Sequence, residues 1–371
     1  MSESSAESIS TFTFWDVLRY ILVAIIAGVL IWFYCFYTPI VYVSRETTGK
    51  TMGTDYIVKV TRFPENSDWQ KIETAIKDRL NALDQMMSTY RQDSEVCRFN
   101  AFSSTEDWFS VSKETAYVVQ TSLEISQLTE GAFDITVTPL VRLWGFGAGG
   151  DRRQGKSFED LKLASVSLKA QTGHEKLSVQ LEPPALKKSI PELMLDLSAI
   201  AKGFAVDCIA ELLEEQKITD YLIEIGGEVR SKGKKGKDKD WIVGIEKPVQ
   251  ESSQELLNEF PGLQQKLALK DQSLATSGNY RQTLQIEGQR VSHLIDPRTG
   301  FPVQVENGMN ELVSVSIIIP SCMRADALAT AMFILGEQKG MELANRHGIA
   351  ALFLLQNGNE IREVPSKDWL K

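Results

Sequence analysis

The chain has 371 residues, which is enough for a large buried core and for more than one lobe. Its formal net charge of −9 argues against a nucleic-acid-binding protein, because such proteins present a basic surface to phosphates. The four cysteines and three histidines are scattered without the spacing of a zinc site, and no disulfide framework follows from their positions. The composition therefore disfavours soft-metal chemistry.

The N-terminal region contains a long run without charge, from Tyr20 to Val43. A helix of this length can cross a bilayer, and the run carries aromatic residues suited to one membrane interface. It ends in Phe-Tyr-Thr-Pro rather than in the small residues of a cleavage site, which favours an uncleaved anchor over a signal peptide. We predict a leader over residues 1–19, a transmembrane anchor over 20–43 and a linker over 44–51. The flanking basic residues are balanced, so the positive-inside rule leaves the orientation open.

The remaining chain, residues 52–371, is predicted to form one domain of mixed helices and strands. Apolar and polar residues alternate over Asp55–Thr61, as in a strand. Ser67 and Gln70 form a capping-box pattern before a helix whose apolar residues recur every three or four positions up to Met87. Further helices are expected over 112–128, 198–213 and 336–347, and further strands over 221–225, 241–245, 266–270, 280–286, 289–295, 312–319, 349–355 and 360–364. Strands broken by helices without a regular βαβ alternation predict an α+β fold with mostly antiparallel sheets.

A segment near the C-terminus, Arg324–Thr330, places a carboxylate and a hydroxyl four residues apart. If this segment is helical, Asp326 and Thr330 lie on one face, one turn apart, as two hard oxygen ligands suited to Mg²⁺ or Ca²⁺. The alternative is that Asp326 only stabilises the start of a helix and Thr330 packs against its neighbours.

One segment formally matches the P-loop pattern, from Gly150 to Ser157, with Asp196 as a downstream acidic residue. A working P-loop directly follows a buried strand, whereas the residues before Gly150 are rich in glycine. A polar loop that enters a helix at Ser157 is the simpler interpretation.

Four other segments combine polar groups with glycine or proline. The connection over 131–147 can form the wall of a site for a planar ligand, or it can be a helix cap followed by a core strand. Lys202 is expected in the first turn of a helix, where free N–H groups and a cation favour a diphosphate, although it can equally be a surface lysine. The paired glycines before Glu228 form a turn or admit a ligand close to the backbone.

The last segment, over 292–300, contains His293 and Asp296. His293 is the candidate general acid or base, and an Asp–Pro turn is the structural alternative.

Taken together, these segments resemble the FAD:protein FMN transferase family, also called the ApbE flavin transferases. The resemblance begins at Thr51-Met-Gly-Thr54, continues through Met87–Glu95 and Arg98–Asn100, and includes every segment above except the P-loop-like one. It covers essentially the whole chain after the predicted anchor, in seven ordered segments. It implies the ApbE-like α+β fold and a catalytic domain over residues 52–371.

The resemblance also implies the site residues. FAD would be contacted by Met52, Tyr90, Ala132, Phe133, Asp134, Asp196, Lys202 and Ile295. The metal, Mg²⁺ with Ca²⁺ as the alternative, would be held by the backbone carbonyl of Ala199 and by Asp326 and Thr330, with Ala329 nearby. Some family members carry Asp at the position of Ala329, so this chain would have one carboxylate fewer. His293 and Asp296 are the candidate catalytic residues.

The implied reaction joins FMN from FAD to a Thr or Ser hydroxyl of a target protein through a phosphoester and releases AMP. The implied partners are FAD and subunits of membrane redox complexes, with the catalytic domain on the periplasmic side of the inner membrane and a cytoplasmic leader. Two alternatives remain at this point: an FAD pyrophosphatase that forms FMN and AMP, and a flavin-binding assembly factor without turnover.

Overall fold

A computed structural model describes most of the chain. The described residues are 14–36, 43–63, 67–148, 155–248, 262–279, 283–304, 309–358 and 360–370. The chain divides into two compact units, residues 1–42 and residues 43–371. The second unit contains every candidate site residue.

Helices and strands alternate irregularly along the described chain, as the α+β prediction requires. The helices are α1 Phe14–Phe36, α2 Trp69–Met87, α3 Glu95–Ala101, α4 Lys113–Leu128, α5 Thr138–Leu143, α6 Phe158–Leu168, α7 Ala201–Glu215 and α8 Cys322–His347. The first strands are β1 Arg45–Thr51, β2 Thr54–Val60, β3 Phe109–Ser110, β4 Leu177–Leu181, β5 Pro184–Lys188, β6 Tyr221–Ile225, β7 Glu228–Lys232 and β8 Trp241–Glu246. The later strands are β9 Leu263–Leu269, β10 Ser273–Gly278, β11 Thr283–Ile286, β12 Gln289–Asp296, β13 Phe301–Gln304, β14 Met309–Ile319, β15 Ala350–Asn357 and β16 Glu360–Pro365.

The central element of the second unit is an eight-stranded sheet in the order β1-β2-β6-β7-β10-β14-β15-β16. All its described neighbours pair antiparallel, which confirms the predicted sheet type. Helices α2, α7 and α8 pack together beside this sheet through one hydrophobic core. The pairing of β7 with β10 covers only Ser273 and Leu274 of β10, so the last residues of β10 extend beyond β7. The candidate site lies where these two strands part.

The segment predicted as a linker, residues 44–51, contains strand β1, and Arg45–Thr51 pairs with β2 along its whole length. This segment has no alternating apolar residues, so its sequence lacks the usual strand pattern. Its hydrogen bonds with β2 and the hydrogen bond from the Thr47 hydroxyl to Glu73 on α2 stabilise it instead.

The predicted helices are present with small shifts at their starts. Helix α2 buries the expected apolar face, but its N-cap is Asp68 rather than Ser67, and the Asp68 side chain accepts a hydrogen bond from the Gln70 N–H. Helix α7 begins at Ala201, later than the predicted start at 198. Helix α8 joins the two helices predicted near the C-terminus, with a non-helical backbone at Gly336.

The N-terminal unit contains helix α1. None of the helices formed by the described residues has the length and apolarity that crossing a bilayer requires. Residues 37–42 of the predicted anchor lie outside the described residues. The anchor over 20–43 therefore stays a prediction.

Candidate active site

A large cleft of about 1180 Å³ opens in the second unit. Its volume exceeds that of many small-molecule pockets and suits an extended ligand. All eight residues assigned to FAD by the resemblance line it, together with His293 and three of the four residues assigned to the metal. These lining residues are Met52, Tyr90, Ala132, Phe133, Asp134, Ala199, Asp196, Lys202, His293, Ile295, Asp326 and Thr330.

The first turns of helix α8 carry the predicted pair of oxygen ligands. Ser321 is the N-cap, and its side chain accepts a hydrogen bond from the Arg324 N–H, so Asp326 and Thr330 follow in regular helix. Both side chains are therefore on one face, one turn apart. Asp326 is 3% exposed, and the hydroxyl of Thr330 lies 2.9 Å from Oγ of Ser277 on strand β10.

Helix α7 contacts the same carboxylate from the opposite side. The backbone N–H of Gly203 donates a hydrogen bond of 3.1 Å to Oδ2 of Asp326, and Nζ of Lys202 lies 3.6 Å from the same oxygen. The N-terminus of α7 was predicted to attract an anion because of its free N–H groups and dipole. In this structure, the carboxyl group of Asp326 lies at that position.

Lys202 lies between two buried carboxylates. Its Nζ is 3.2 Å from Oε1 of Glu228 and 3.6 Å from Oδ2 of Asp326. Burial alone would lower the pKa of Lys202, but the negative charges of Asp326 and Glu228 raise it above the ordinary value of a lysine. Burial raises the pKa of both carboxyl groups, and the charge of Lys202 offsets this only in part. One lysine therefore faces two acids, and the cluster carries an excess of negative charge when both acids are ionised.

This cluster offers some of the oxygen ligands that a divalent cation needs. Asp326 and Thr330 offer a carboxylate and a hydroxyl, which are the hard oxygen ligands that Mg²⁺ and Ca²⁺ prefer. Oε2 of Glu228 is buried and, within the described part of the chain, accepts no hydrogen bond. The described residues contain no group of three or more His, Cys, Asp or Glu side chains that could hold a metal. A cation here would therefore need hydroxyl, carbonyl or substrate oxygens as additional ligands.

The other two residues assigned to the metal differ in position. Ala199 lines the cleft, immediately before the start of α7. Ala329 is fully buried in α8 and is not one of the residues that line the cleft. Its side chain is a methyl group, which carries no ligand atom.

An N-terminal clamp fixes the start of α8. Asp207 on α7 accepts hydrogen bonds of 3.0 Å from the backbone N–H groups of Cys322 and Met323 and from the Ser321 hydroxyl. Arg230 on β7 donates a hydrogen bond of 2.6 Å to the same carboxylate. Asp207 on α7, supported by Arg230 on β7, thereby holds the start of the helix that carries Asp326.

Two tight turns form part of the cleft lining. Met52 and Gly53 have positive φ angles of 48° and 74° at the β1–β2 turn, and Gly226 and Gly227 have φ angles of 61° and 101° at the β6–β7 turn. Such pairs of positive φ angles are typical of two-residue hairpin turns. The β6–β7 turn places Glu228, the first residue of β7, in the cleft.

The carboxylate of Asp134 organises the opposite wall. It accepts hydrogen bonds from the backbone N–H of Thr136 at 2.8 Å, the Thr136 hydroxyl at 2.7 Å and the backbone N–H of His174 at 2.8 Å. The His174 ring lies 3.6 Å from it, and this hydrogen-bonding partner raises the pKa of His174 despite its partial burial. The segment after Gly131 is thus a turn that leads into α5, and the alternative of a core strand is wrong.

Two further members of the lining are Asp196, which is half-buried, and Tyr90, which is exposed. Oδ1 of Asp196 accepts hydrogen bonds from the backbone N–H and the hydroxyl of Ser198, which shape the approach to α7. Tyr90 is 70% exposed, so its ring is available to a ligand in the cleft.

The two candidate catalytic residues differ in their surroundings. His293 lines the cleft, and its ring packs edge-on against Phe146 with centroids 6.3 Å apart. Asp296 is not among the lining residues, and both of its carboxylate oxygens accept hydrogen bonds from the guanidinium of Arg298. Its contacts are those of the Asp–Pro turn that was the structural alternative.

Glu228 and Ser277 are among the polar residues of the site that sequence reasoning missed. The paired glycines indicated a close approach of the backbone to a ligand, but the acid after them was not singled out. Ser277 lies on a strand that was not predicted, and its contact with Thr330 joins residues 53 positions apart. No local sequence pattern reports such a contact.

The P-loop-like segment is described only in part, since residues 150–154 lie outside the described residues. Ser157 caps helix α6 in a capping box with Asp160. This agrees with the simpler interpretation of a loop that enters a helix at Ser157. The described residues of this segment do not line the cleft.

Comparison with known proteins identifies close similarities across the second unit. The ApbE family model matches residues 52–353. A protein of Vibrio cholerae named FAD:protein FMN transferase is 41% identical over 324 residues, which are 87% of this chain and 90% of that protein. The solved structure of the flavin transferase ApbE from Vibrio cholerae covers 88% of this chain and 98% of its own, with a TM-score of 0.76 and 36% identity. The apo structure of Pseudomonas stutzeri flavinyl transferase ApbE covers 88% and 96%, with a TM-score of 0.75 and 33% identity.

Proposed function

This chain belongs to the ApbE family, and from that premise we propose that it is an FAD:protein FMN transferase. The hydroxyl oxygen of a Thr or Ser in a target protein would attack the FMN-side phosphorus of FAD. A new phosphoester bond would form, the phosphoanhydride bond would break, and AMP would leave. The observation that carries this proposal is that one cleft gathers Asp326 and all eight residues assigned to FAD, Lys202 among them.

Charge and position supply most of what a phosphoryl transfer needs. Lys202, at the N-terminus of α7, would bind the diphosphate and neutralise part of its charge. Asp326, Thr330 and the carbonyl of Ala199 would hold Mg²⁺. When bound, the cation would polarise the phosphoryl oxygens and make AMP a better leaving group. The walls that include Tyr90 and Phe133 would bind the aromatic parts of FAD and orient the FMN-side phosphorus.

The attacking hydroxyl must lose a proton. We propose that a ring nitrogen of His293 accepts it, because His293 is the histidine in the cleft lining and imidazole titrates near neutral pH. The carboxylate of Asp296 is engaged by Arg298, so its part in the reaction would be to fix the turn that follows His293.

We also propose that residues 20–43 anchor the chain in the inner membrane and that the catalytic domain acts on periplasmic proteins, such as subunits of membrane redox complexes. The support is the uncharged run in the sequence and the exposure of large apolar side chains along α1, among them Leu22, Ile25 and Leu30. Fractionation of cells that express the full-length chain, followed by protease treatment of intact spheroplasts, tests both statements. Recovery in the soluble fraction would contradict the anchor, and protection from protease would contradict the orientation.

An acceptor assay tests the reaction. The full-length protein is incubated with FAD, Mg²⁺ and a threonine-containing acceptor protein, and mass spectrometry follows the acceptor while AMP is quantified. We expect an FMN adduct and one AMP for each adduct, with no adduct on an acceptor in which that Thr is replaced by Ala. FMN and AMP without an adduct would indicate a pyrophosphatase, and AMP below one equivalent of the enzyme would indicate binding without turnover.

Variants connect that assay to the cleft. Asp326→Ala and Lys202→Met are expected to lower adduct formation by about a hundredfold or more, because each removes a charge from the diphosphate site. Lys156→Ala, in the P-loop-like segment, is the matched control and is expected to retain normal transfer. Loss of transfer in Lys156→Ala with normal transfer in Asp326→Ala would overturn the placement of the site.

A further inference from the structure

Glu228 is held deep in the cleft by the β6–β7 hairpin. Its side chain is 5% exposed, and its Oε1 lies 3.2 Å from Nζ of Lys202. The second oxygen, Oε2, is buried and accepts no hydrogen bond from any described residue. An unsatisfied buried carboxylate oxygen costs stability, so this acid is poorly explained as a contribution to folding.

The hairpin also contacts the stem of the lysine. A Cβ atom built on Gly226 would lie 3.2 Å from Cδ of Lys202 and 2.8 Å from the Thr54 side chain. The turn therefore lies so close to the methylene chain of Lys202 that a side chain at position 226 would crowd it. Both the stem and the charged end of Lys202 are thus held by the β6–β7 hairpin.

On its other side, Lys202 faces a carboxylate that the proposed function assigns to the cation. Nζ of Lys202 is 3.6 Å from Oδ2 of Asp326, which is farther than its distance to Glu228. A half-buried ammonium group without a second acid would move toward the remaining one, because an unpaired charge away from water is costly. Lys202 would then neutralise Asp326 and compete with a cation for it.

We infer that Glu228 is a positioning residue that holds Lys202 away from Asp326 and so keeps Asp326 available to a divalent cation. This inference rests on the proposed function for the identity of the cation site. Glu228 itself would not contact the cation, because its effect on the cation passes through Lys202. When Asp326 binds the cation, Glu228 remains the acid that holds Lys202 in the cleft.

A double-mutant cycle distinguishes this positioning role from a direct interaction of Glu228 with the cation. Mn²⁺ binding is measured by isothermal titration calorimetry, without FAD or acceptor, for the wild type, Glu228→Gln, Lys202→Met and the double variant. Glu228→Gln is expected to weaken Mn²⁺ binding about tenfold when Lys202 is present, a typical coupling between contacting residues. In the Lys202→Met background, the same substitution is expected to change the affinity by less than about twofold.

Equal weakening in both backgrounds would overturn the inference, because Glu228 would then act by its own charge or as a ligand. An unchanged affinity in both backgrounds would overturn it as well. Glu73→Gln is the matched control, since Glu73 also pairs with a lysine, at 2.9 Å, but lies outside the cleft. It is expected to bind Mn²⁺ normally.

Thermal unfolding checks that each variant is folded. If Glu228→Gln does not fold, Glu228→Asp replaces it in the same cycle, since it keeps the charge and shortens the reach toward Lys202. Its weakening of Mn²⁺ binding is again expected only when Lys202 is present. The Mn²⁺ titration uses neither FAD nor an acceptor. Its result can therefore be interpreted even if the transfer assay fails.

Discussion

The backbone N–H of Gly203 donates a hydrogen bond of 3.1 Å to Oδ2 of Asp326 and thereby joins the first turn of α7 to the carboxylate on α8. The two helices approach each other unusually closely at this point. A Cβ atom built on Gly203 would lie 2.3 Å from the carbonyl oxygen of Cys322 and 2.9 Å from Cβ of Asp326. The position of the candidate cation ligand thus depends on a residue that has no side chain.

Gly203→Ala is expected to push α8 away from α7, because the new methyl group meets backbone atoms that cannot rotate aside. We expect a loss of about 1–3 kcal/mol in the free energy of unfolding, measured by urea denaturation, together with weaker Mg²⁺ binding. Glu215→Ala, at an exposed position of the same helix, is the control and should change neither quantity by much. Normal Mg²⁺ affinity in a folded Gly203→Ala protein would show that the close approach of α7 and α8 does not determine the geometry of the cation site.

Asp207→Ala is expected to destabilise the protein strongly. It removes the acceptor of the Cys322 and Met323 N–H groups and leaves the half-buried guanidinium of Arg230 without its closest acid. Losing a buried charge partner and a helix cap together is expected to cost about 3–5 kcal/mol, measured by urea denaturation. Asp68→Ala removes the exposed cap of α2 and serves as the comparison, with an expected loss of about 1 kcal/mol. Similar losses in both variants would contradict the importance of the clamp.

His174 is expected to make stability depend on pH. Its hydrogen-bonding partner Asp134 raises the pKa of His174 in the folded protein, and Glu175 adds a smaller favourable charge. The protonated ring therefore stabilises the fold fully below the unfolded-state pKa of about 6.5, and this contribution is lost as the pH rises through the higher folded-state pKa.

The measurement is the difference in melting temperature between the wild type and His174→Gln, followed from pH 5.5 to pH 9. We expect the wild type to be the more stable of the two at low pH and the difference to shrink at high pH. A difference that is constant across this range would contradict the protonation of His174 as its cause.

Much of the fold was predictable because its signals are local. The apolar spacing of α2 predicted a helix that the structure contains within one or two residues, and the helix expected over 112–128 is α4, Lys113–Leu128. Asp326 and Thr330 were predicted as a pair from helical spacing alone, and α8 places them one turn apart. Local periodicity is sufficient when one element supplies both groups.

The rest depended on contacts between distant segments. Strand β1 has no apolar alternation and exists through its pairing with β2, so the sequence predicted a linker there. Glu228 becomes a site residue because the β6–β7 turn brings it to Lys202, 26 positions earlier in the chain. These features arise from the packing of α7, α8 and the sheet, which no local pattern encodes.

Thr330→Val is expected to affect cation binding far more than stability. Valine has nearly the shape of threonine but lacks the hydroxyl that lies 2.9 Å from Ser277 and that we assign to the cation. The Mg²⁺ concentration for half-maximal transfer is expected to rise about 10–100-fold, the scale of a lost contact in a metal site. Thr330→Ser keeps the hydroxyl and should remain close to the wild type. Ser277→Ala removes only the hydrogen-bond partner of that hydroxyl. It therefore measures how much the orientation of the Thr330 hydroxyl contributes to the Mg²⁺ requirement. A Mg²⁺ requirement that is equal in Thr330→Val and Thr330→Ser would remove Thr330 from the cation site and leave Asp326 as the protein side chain assigned to it.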